Sequence, residues 1–360
     1  LILYCDTRLK ASRDCACYLA AMNTEGKPQP VDWYRCPVRP DLLKALHERS
    51  DLLGWMQSLG YLGVLILTGG LAFYAAGHWP VPVLVALILL HGICYAFQIN
   101  AIHELGHGTV FKTKSLNCAF LRVFAFLGWI NFEMFEKSHA RHHRYTLHPP
   151  EDLEVVLPIK ILVRQFFLQS SLNPMGFIRT VKDTFLVACG KFSGEWNLKL
   201  FPAGDPEKRR GPVRWARVLL AGHGLILAVS IYFQLWMIPV LITFAPFYGS
   251  WLFFLCNNTQ HNGLQDNVSD FRLCCRTFTV NPVVQFLYWQ MNFHIEHHMF
   301  AAVPCYKLGK LHELIKHDLP PCPHGLISTW KEIAAIQKRQ EAEPGYQYVA
   351  PLPSTRLAGY

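Results

Sequence analysis

Two long stretches of this chain, residues 52–102 and 218–256, contain no Asp, Glu, Lys or Arg. Nothing else in the sequence limits the fold as strongly. A helix that crosses a bilayer needs about 20 apolar residues at a rise of about 1.5 Å each, so each stretch is long enough for two crossings joined by a short turn. Each also carries a Trp and a Pro near its middle, Trp79-Pro80 and Trp236 with Pro239. There an interfacial aromatic and a helix breaker would make the turn. The expected fold is an all-α integral membrane protein with four transmembrane helices in two hairpins, spanning residues 52–76, 81–102, 216–235 and 238–256. A composition of 51% hydrophobic and only 16% charged residues agrees with this rather than with two soluble domains.

The turns of the hairpins hold no Lys or Arg, whereas the region between them holds Lys112, Lys114, Arg141, Arg144, Lys208, Arg209, Arg210 and Arg214. By the positive-inside rule that region lies on the cytoplasmic side, together with both ends of the chain. The expected organisation is an N-terminal cytosolic segment 1–51, a membrane domain 52–320 whose cytosolic helical cap comprises 103–214 and 257–320, and a C-terminal tail 321–360. The net charge of +9 is read as a surface facing anionic lipid headgroups or an acidic partner protein. Nucleic acid is not expected as a partner, since no binding motif is present. Residues 115–135 are apolar enough for a further span, but a crossing would carry His139 to the opposite side from His107. This segment is therefore expected to be re-entrant or interfacial, in agreement with Arg122 at its middle. Residues 159–188 mix aromatic and basic positions and are expected as one or two amphipathic surface helices, broken at Pro174.

Nine of the 17 histidines fall into clusters with metal-ligand spacing: His103 and His107 in HELGH, His139, His142 and His143 in HARHH, His261 in NNTQH, and His294, His297 and His298 in HIEHH. Positions three and four apart share a helix face, so each triplet can aim imidazoles at one point. A lone histidine is more often a core or surface residue than a ligand. That bland role is expected for His47, His78, His91, His148, His223, His312, His317 and His324. Adjacent imidazoles repeated in two HxxHH boxes call for something that binds their lone pairs. Nine donors exceed the about four to six that one ion uses, so two metals sharing the site is the natural count. HELGH also reads as HExxH, the helical motif of zinc proteases. A hydrolytic zinc site needs three protein ligands and an open position, which leaves the other histidines without a purpose and disfavours a membrane metalloprotease.

The order HELGHG, HARHH, NNTQH and NFHIEHHMF, threaded through paired apolar hairpins, is similar to the membrane-bound fatty acid desaturase superfamily, and the similarity runs over residues 52–320. The stretch NFHIEHHMFAAVPCYKLGKLHELIKHDLP resembles acyl-lipid or acyl-CoA desaturases. The resemblance implies four transmembrane helices under a cytosolic cap in which all nine clustered histidines ligate two irons. It also implies that Asn257, four residues before His261, contacts the second metal through water. Ala301 departs from the pattern, since many relatives have proline after HHMF. The implied activity is O2-dependent formation of a carbon–carbon double bond in an acyl lipid or acyl-CoA, with Fe2+ as the metal. Residues expected to orient the imidazoles are Glu104, Glu136, Asp152, Glu154 and Glu296. Trp129, Phe132, Tyr288 and Trp289 are candidates to line an acyl tunnel, with core packing as the competing role.

No HPGG haem motif is present, so two electrons per turnover are expected from a separate ferredoxin, rubredoxin or cytochrome b5. The basic stretch EKRRGPVRWAR would dock such a donor or touch lipid. The competing readings are a hydroxylase or ketolase of the same superfamily acting on a sphingolipid, carotenoid or alkane, and a non-catalytic metal-binding membrane protein. Transport ligands belong near mid-membrane, whereas these clusters lie at span ends. The 12 cysteines include no CxxC pair and are read as reduced thiols. Met22 opens a polar segment, MNTEGKPQP, which reads as the natural start, with residues 1–21 as upstream translation. The expected setting is a bacterial inner membrane or the endoplasmic reticulum, with the metal site on the cytoplasmic face.

Overall fold

The computed structural model describes residues 29–159, 166–167, 170–343 and 345–353. The reading of residues 1–21 and Met22 lies outside these, as do residues 160–165. Among the described residues the fold is all-α, with isolated bridges such as Tyr34 with Asp270 and no strand. A short helix α1 (Pro40–His47) leads into α2 (Asp51–His78), which starts where the Ser50 hydroxyl accepts from Leu53 N. The chain turns at Trp79-Pro80 into α3 (Val81–Tyr95), and after a kink continues as α4 (Gln98–Gly106). Helix α2 buries Tyr61, Leu65, Thr68, Ala72 and Ala75 along one stripe and leaves Leu52, Met56, Ile66 and Leu67 exposed. A single apolar face buried with a second apolar face outside is the pattern of a helix solvated by lipid. The first expected hairpin is present, with both limbs long and apolar enough to cross a membrane.

Helices α5 (Lys114–Leu127) and α6 (Phe132–Tyr145) meet at 108°. The break falls at residues 128–131, where Gly128 caps α5 and Trp129 takes φ 56°. The bend divides residues 114–145 into two helices, so no single helix runs through this segment. His223 fills the bend: its ring stacks between Phe126 and Trp129 at 4.5 and 4.0 Å, and one nitrogen bonds the Phe126 carbonyl at 3.0 Å. Helix α7 (Pro174–Ala188) begins at Pro174 with the Asn173 side chain capping Gly176 N. It exposes Met175, Ile178 and Phe185, in line with the amphipathic reading of this segment. A short α8 (Glu195–Leu200) follows.

Two expectations need correction. The third span was placed at 216–235 with a cap ending at 214, but α9 (Pro206–Tyr232) is one continuous helix. Asp205 caps it and Pro206 occupies its first turn, so the helix starts at its own signal, and the apolar run marks only its membrane portion. The fourth span, expected at 238–256, is not one helix. It is α10 (Met237–Leu241), a 3-10 turn at Ala245–Phe247, and α11 (Trp251–Asn257). Pro246 and Gly249, the latter at φ 69°, interrupt it. Side chains take up the carbonyls left free: Tyr248 donates to Val240 O at 3.0 Å, His91 bonds Leu241 O at 2.9 Å, Tyr95 donates to Ile242 O at 3.2 Å, and Trp129 donates to Thr243 O at 2.9 Å. Irregular backbone can lie within a membrane protein only when its polar groups are satisfied in this way. Gly92 lets the limb approach, since a Cβ there would stand 2.4 Å from the Tyr248 ring. Among the described residues, three helices are long and apolar enough to span, or four if α5 and α6 together make one bent span.

The remaining helices are α12 (Phe271–Cys274), α13 (Pro282–Leu287), α14 (His294–Met299), α15 (Cys305–Ile315) and α16 (Gly325–Ala342). One hydrophobic core runs from Tyr61, Phe97 and Phe124 through Tyr288 and Trp289 to Leu308 and Ile315. Both flanks dock on it. Tyr34 donates to Asp318 at 2.6 Å, and Trp330 of α16 donates to Leu255 O at 3.1 Å.

Candidate metal centre

Four separate segments deliver the nine clustered histidines to one place. His103 lies on α4 and His107 caps it; His139, His142 and His143 share α6; His261 sits in the turn after α11; and His294, His297 and His298 share α14. They form two sets. The ligand atoms of His103, His107, His139, His143 and His297 lie within 4.8 Å of one another, as do those of His261, Cys275, His294 and His298. His142 stands beside the second set, its ring centroid 5.2 Å from that of His261 and 5.0 Å from that of His298.

The distances between ring nitrogens carry the chemical argument. His139 and His143 bring their Nε2 atoms to 2.9 Å, His143 and His297 to 3.1 Å, His261 and His294 to 3.0 Å, and His294 and His298 to 3.1 Å. In His139, His261 and His298 the other nitrogen is already committed: His139 Nδ1 donates to Glu154 at 2.9 Å, His261 Nδ1 donates to Cys274 O at 2.8 Å, and His298 Nδ1 meets Thr146 Oγ1 at 3.2 Å. A neutral imidazole that donates from Nδ1 has only a lone pair at Nε2. Lone pairs packed in this way repel unless a cation lies between them. Neighbouring ligands around an ion at about 2.1 Å stand about 3.0 Å apart, the spacing seen here. The all-imidazole donor set and these edges fit bound transition metal.

The environment keeps the donors unprotonated. Burial, then the neighbouring imidazoles, hold His294, His297 and His298 well below the ordinary histidine range, and His261 at about 3. His142 differs. Burial opposes a proton on it, but the Asp152 carboxylate at 2.8 Å outweighs this and raises it.

Glu104, Asp152 and Glu154, three of the five acids expected to orient the ligands, hydrogen-bond to box histidines. Glu104 Oε1 bonds His103 Nδ1 at 3.0 Å and lies 3.4 Å from His297 Nδ1, which has no hydrogen-bond partner among the described residues. Asp152 holds His142 and Glu154 holds His139. The other two are corrected. Glu296 turns away from the ligands and pairs with Thr277 and His312, because a residue between two ligands on a helix faces the opposite side. Glu136 has no hydrogen bond to a box histidine among the described residues and packs against Gly106.

Asn257 ends α11, half-buried, one turn before His261. Trp129, Phe132, Tyr288 and Trp289 are all buried in ring contacts: Trp129 with His223, Phe132 with Trp215, Tyr288 with Phe97, and Trp289 with Tyr61 and Phe124. The eight remaining histidines join neither metal set. Sequence reasoning missed Cys275, which reaches the second set from a segment with no metal-ligand spacing, and Thr146 and the Cys274 carbonyl, which orient His298 and His261.

Comparison with protein families matches residues 77–330 to Fatty acid desaturase. No curated protein matches the chain.

Proposed function

The chain belongs to the fatty acid desaturase family, and from that premise we propose that it is an O2-dependent di-iron oxidoreductase that introduces a carbon–carbon double bond into the acyl chain of a lipid or acyl-CoA. The observation that carries this reading is the pair of buried imidazole sets with ring nitrogens about 3.0 Å apart. An unactivated methylene C–H bond is too strong for a side-chain base, and two irons with O2 would supply the oxidising power.

The chain's own residues then have definite tasks. His103, His107, His139, His143 and His297 would hold one iron, and His142, His261, His294 and His298 the other, with Asn257 contributing through water. Glu104, Asp152 and Glu154 fix the rings so that Nε2 faces the metals. Seven of the nine box histidines are buried, with His107 and His143 partly so, which would limit the access of bulk water to the site. Trp129, Phe132, Tyr288 and Trp289 would form the wall of the acyl tunnel. Electrons would come from a separate ferredoxin, rubredoxin or cytochrome b5. Arg209, Arg210, Arg214 and Arg217 line an open groove on the first turns of α9, which supports docking of an acidic donor. The reaction would take place at the cytoplasmic face of the membrane.

The test is fatty acid profiling after expression in a host that supplies a reductase chain. New unsaturated chains in the wild type, absent in His298→Ala, support the reading. A hydroxylated product would move the chain to the hydroxylase branch, and an unchanged profile would count against both.

A further inference from the structure

We propose that Cys275 is a sulfur ligand of the second metal ion, so that the two ions sit in chemically unlike shells. The inference rests on the reading that the paired sets hold metal, and it goes beyond the imidazoles and Asn257. Cys275 Sγ lies within 4.8 Å of the ligand atoms of His261, His294 and His298, and all four residues are buried.

The segment that carries Cys275 is fastened to the segment that carries His261. Arg276 N donates to Gln260 O at 2.8 Å, and the Arg276 guanidinium donates to Thr259 O at 2.7 Å and Asn262 O at 2.9 Å. From the other side His261 Nδ1 donates to Cys274 O at 2.8 Å. Cys275 sits between these attachments, so its thiol is held beside the His261 ring.

The hydrogen-bond contacts of the Cys275 sulfur are long. Its nearest polar neighbours are His261 Nδ1 at 3.8 Å and Cys274 Sγ at 3.9 Å. The first is already committed to the Cys274 carbonyl at a much shorter distance. Among the described cysteines, Cys275 alone joins a metal set. The set of five imidazoles is complete without sulfur, whereas the second has three in close register and His142 alongside.

A bound divalent cation converts a coordinating thiol to thiolate. The sulfur–hydrogen bond breaks, a sulfur–metal bond forms with the same electron pair, and the proton leaves to solvent; no oxidant is needed. A soft thiolate beside imidazoles gives this ion a different affinity and reduction potential from its all-nitrogen neighbour.

X-ray absorption at the iron edge of the full chain in detergent, loaded anaerobically with ferrous iron, tests this directly. The expected spectrum contains a sulfur scatterer at about 2.3 Å, near one per two irons. It persists in Cys274→Ser and vanishes in Cys275→Ser, whether or not the second iron stays. Iron bound with only nitrogen and oxygen neighbours, or a sulfur shell that survives Cys275→Ser, overturns the ligand and leaves the proposed function standing. A chain that takes up no iron overturns both.

Discussion

Asp152 accepts the Nδ1–H of His142 at 2.8 Å, and the same carboxylate oxygen takes Leu147 N at 2.9 Å. The loop after α6 therefore folds around the acid that orients one of that helix's own histidines. Burial works against charge on Asp152, but His142 and these hydrogen bonds hold it below the usual carboxylate range. Asp152→Asn keeps the shape and removes the charge. Metal affinity should fall about ten- to a hundred-fold, read by competition with a chelator. Binding as tight as in the wild type would show that the carboxylate does not support the ligand.

Glu104 holds His103 of the first box through a 3.0 Å hydrogen bond and places the same oxygen 3.4 Å from His297 of the third. Glu104→Gln replaces the carboxylate that holds His103 with a neutral amide. The five-imidazole set should lose metal before the other, so a chelator challenge should leave about one ion where the wild type keeps two. Equal retention of both ions in the variant would show that Glu104 does not support this set.

Acid should destabilise the metal-free protein. His261 sits at about 3 when folded, against about 6.5 unfolded. Between those values the unfolded chain takes up a proton that the folded one refuses. The stability from burying a neutral ring is complete above about pH 6.5 and is lost as pH falls toward 3. His294, His297 and His298 act in the same direction, while His142, raised by Asp152, opposes them in part. Thermal melts in detergent should show a falling midpoint below pH 6.5, and bound metal should raise it. A midpoint flat from pH 7 to 4 would refute neutral burial.

Tyr248→Phe removes one hydroxyl and leaves the Val240 carbonyl without its donor. An orphaned buried acceptor costs about 1–3 kcal/mol, with the iron count unchanged. Denaturation in detergent measures the first and metal analysis the second; an unchanged midpoint would mean that the carbonyl finds another partner.

The imidazole sets were readable because HARHH and HIEHH repeat at helical spacing, and the first hairpin because residues 52–102 lack charge. The fourth limb was not, because hydropathy cannot register that His91, Tyr95 and Trp129, 114 to 150 residues away in sequence, would take its carbonyls. Glu296 shows a related limit. Its place inside a box suggested a partner for the ligands, but only the packing of α15 against α14 reveals His312 as its partner. Cys275 lacked any signal, since its proximity to His261 arises from two segments joined through Arg276.

The carbonyls of residues 240–243 also give the protein an order of assembly. Unsatisfied in hydrocarbon, each would cost several kcal/mol, so the limb has no resting place in a bilayer until α3 and the bend after α5 are there to receive it. His261 follows directly behind this limb. The place of His261 in the second imidazole set therefore depends on how this limb is docked.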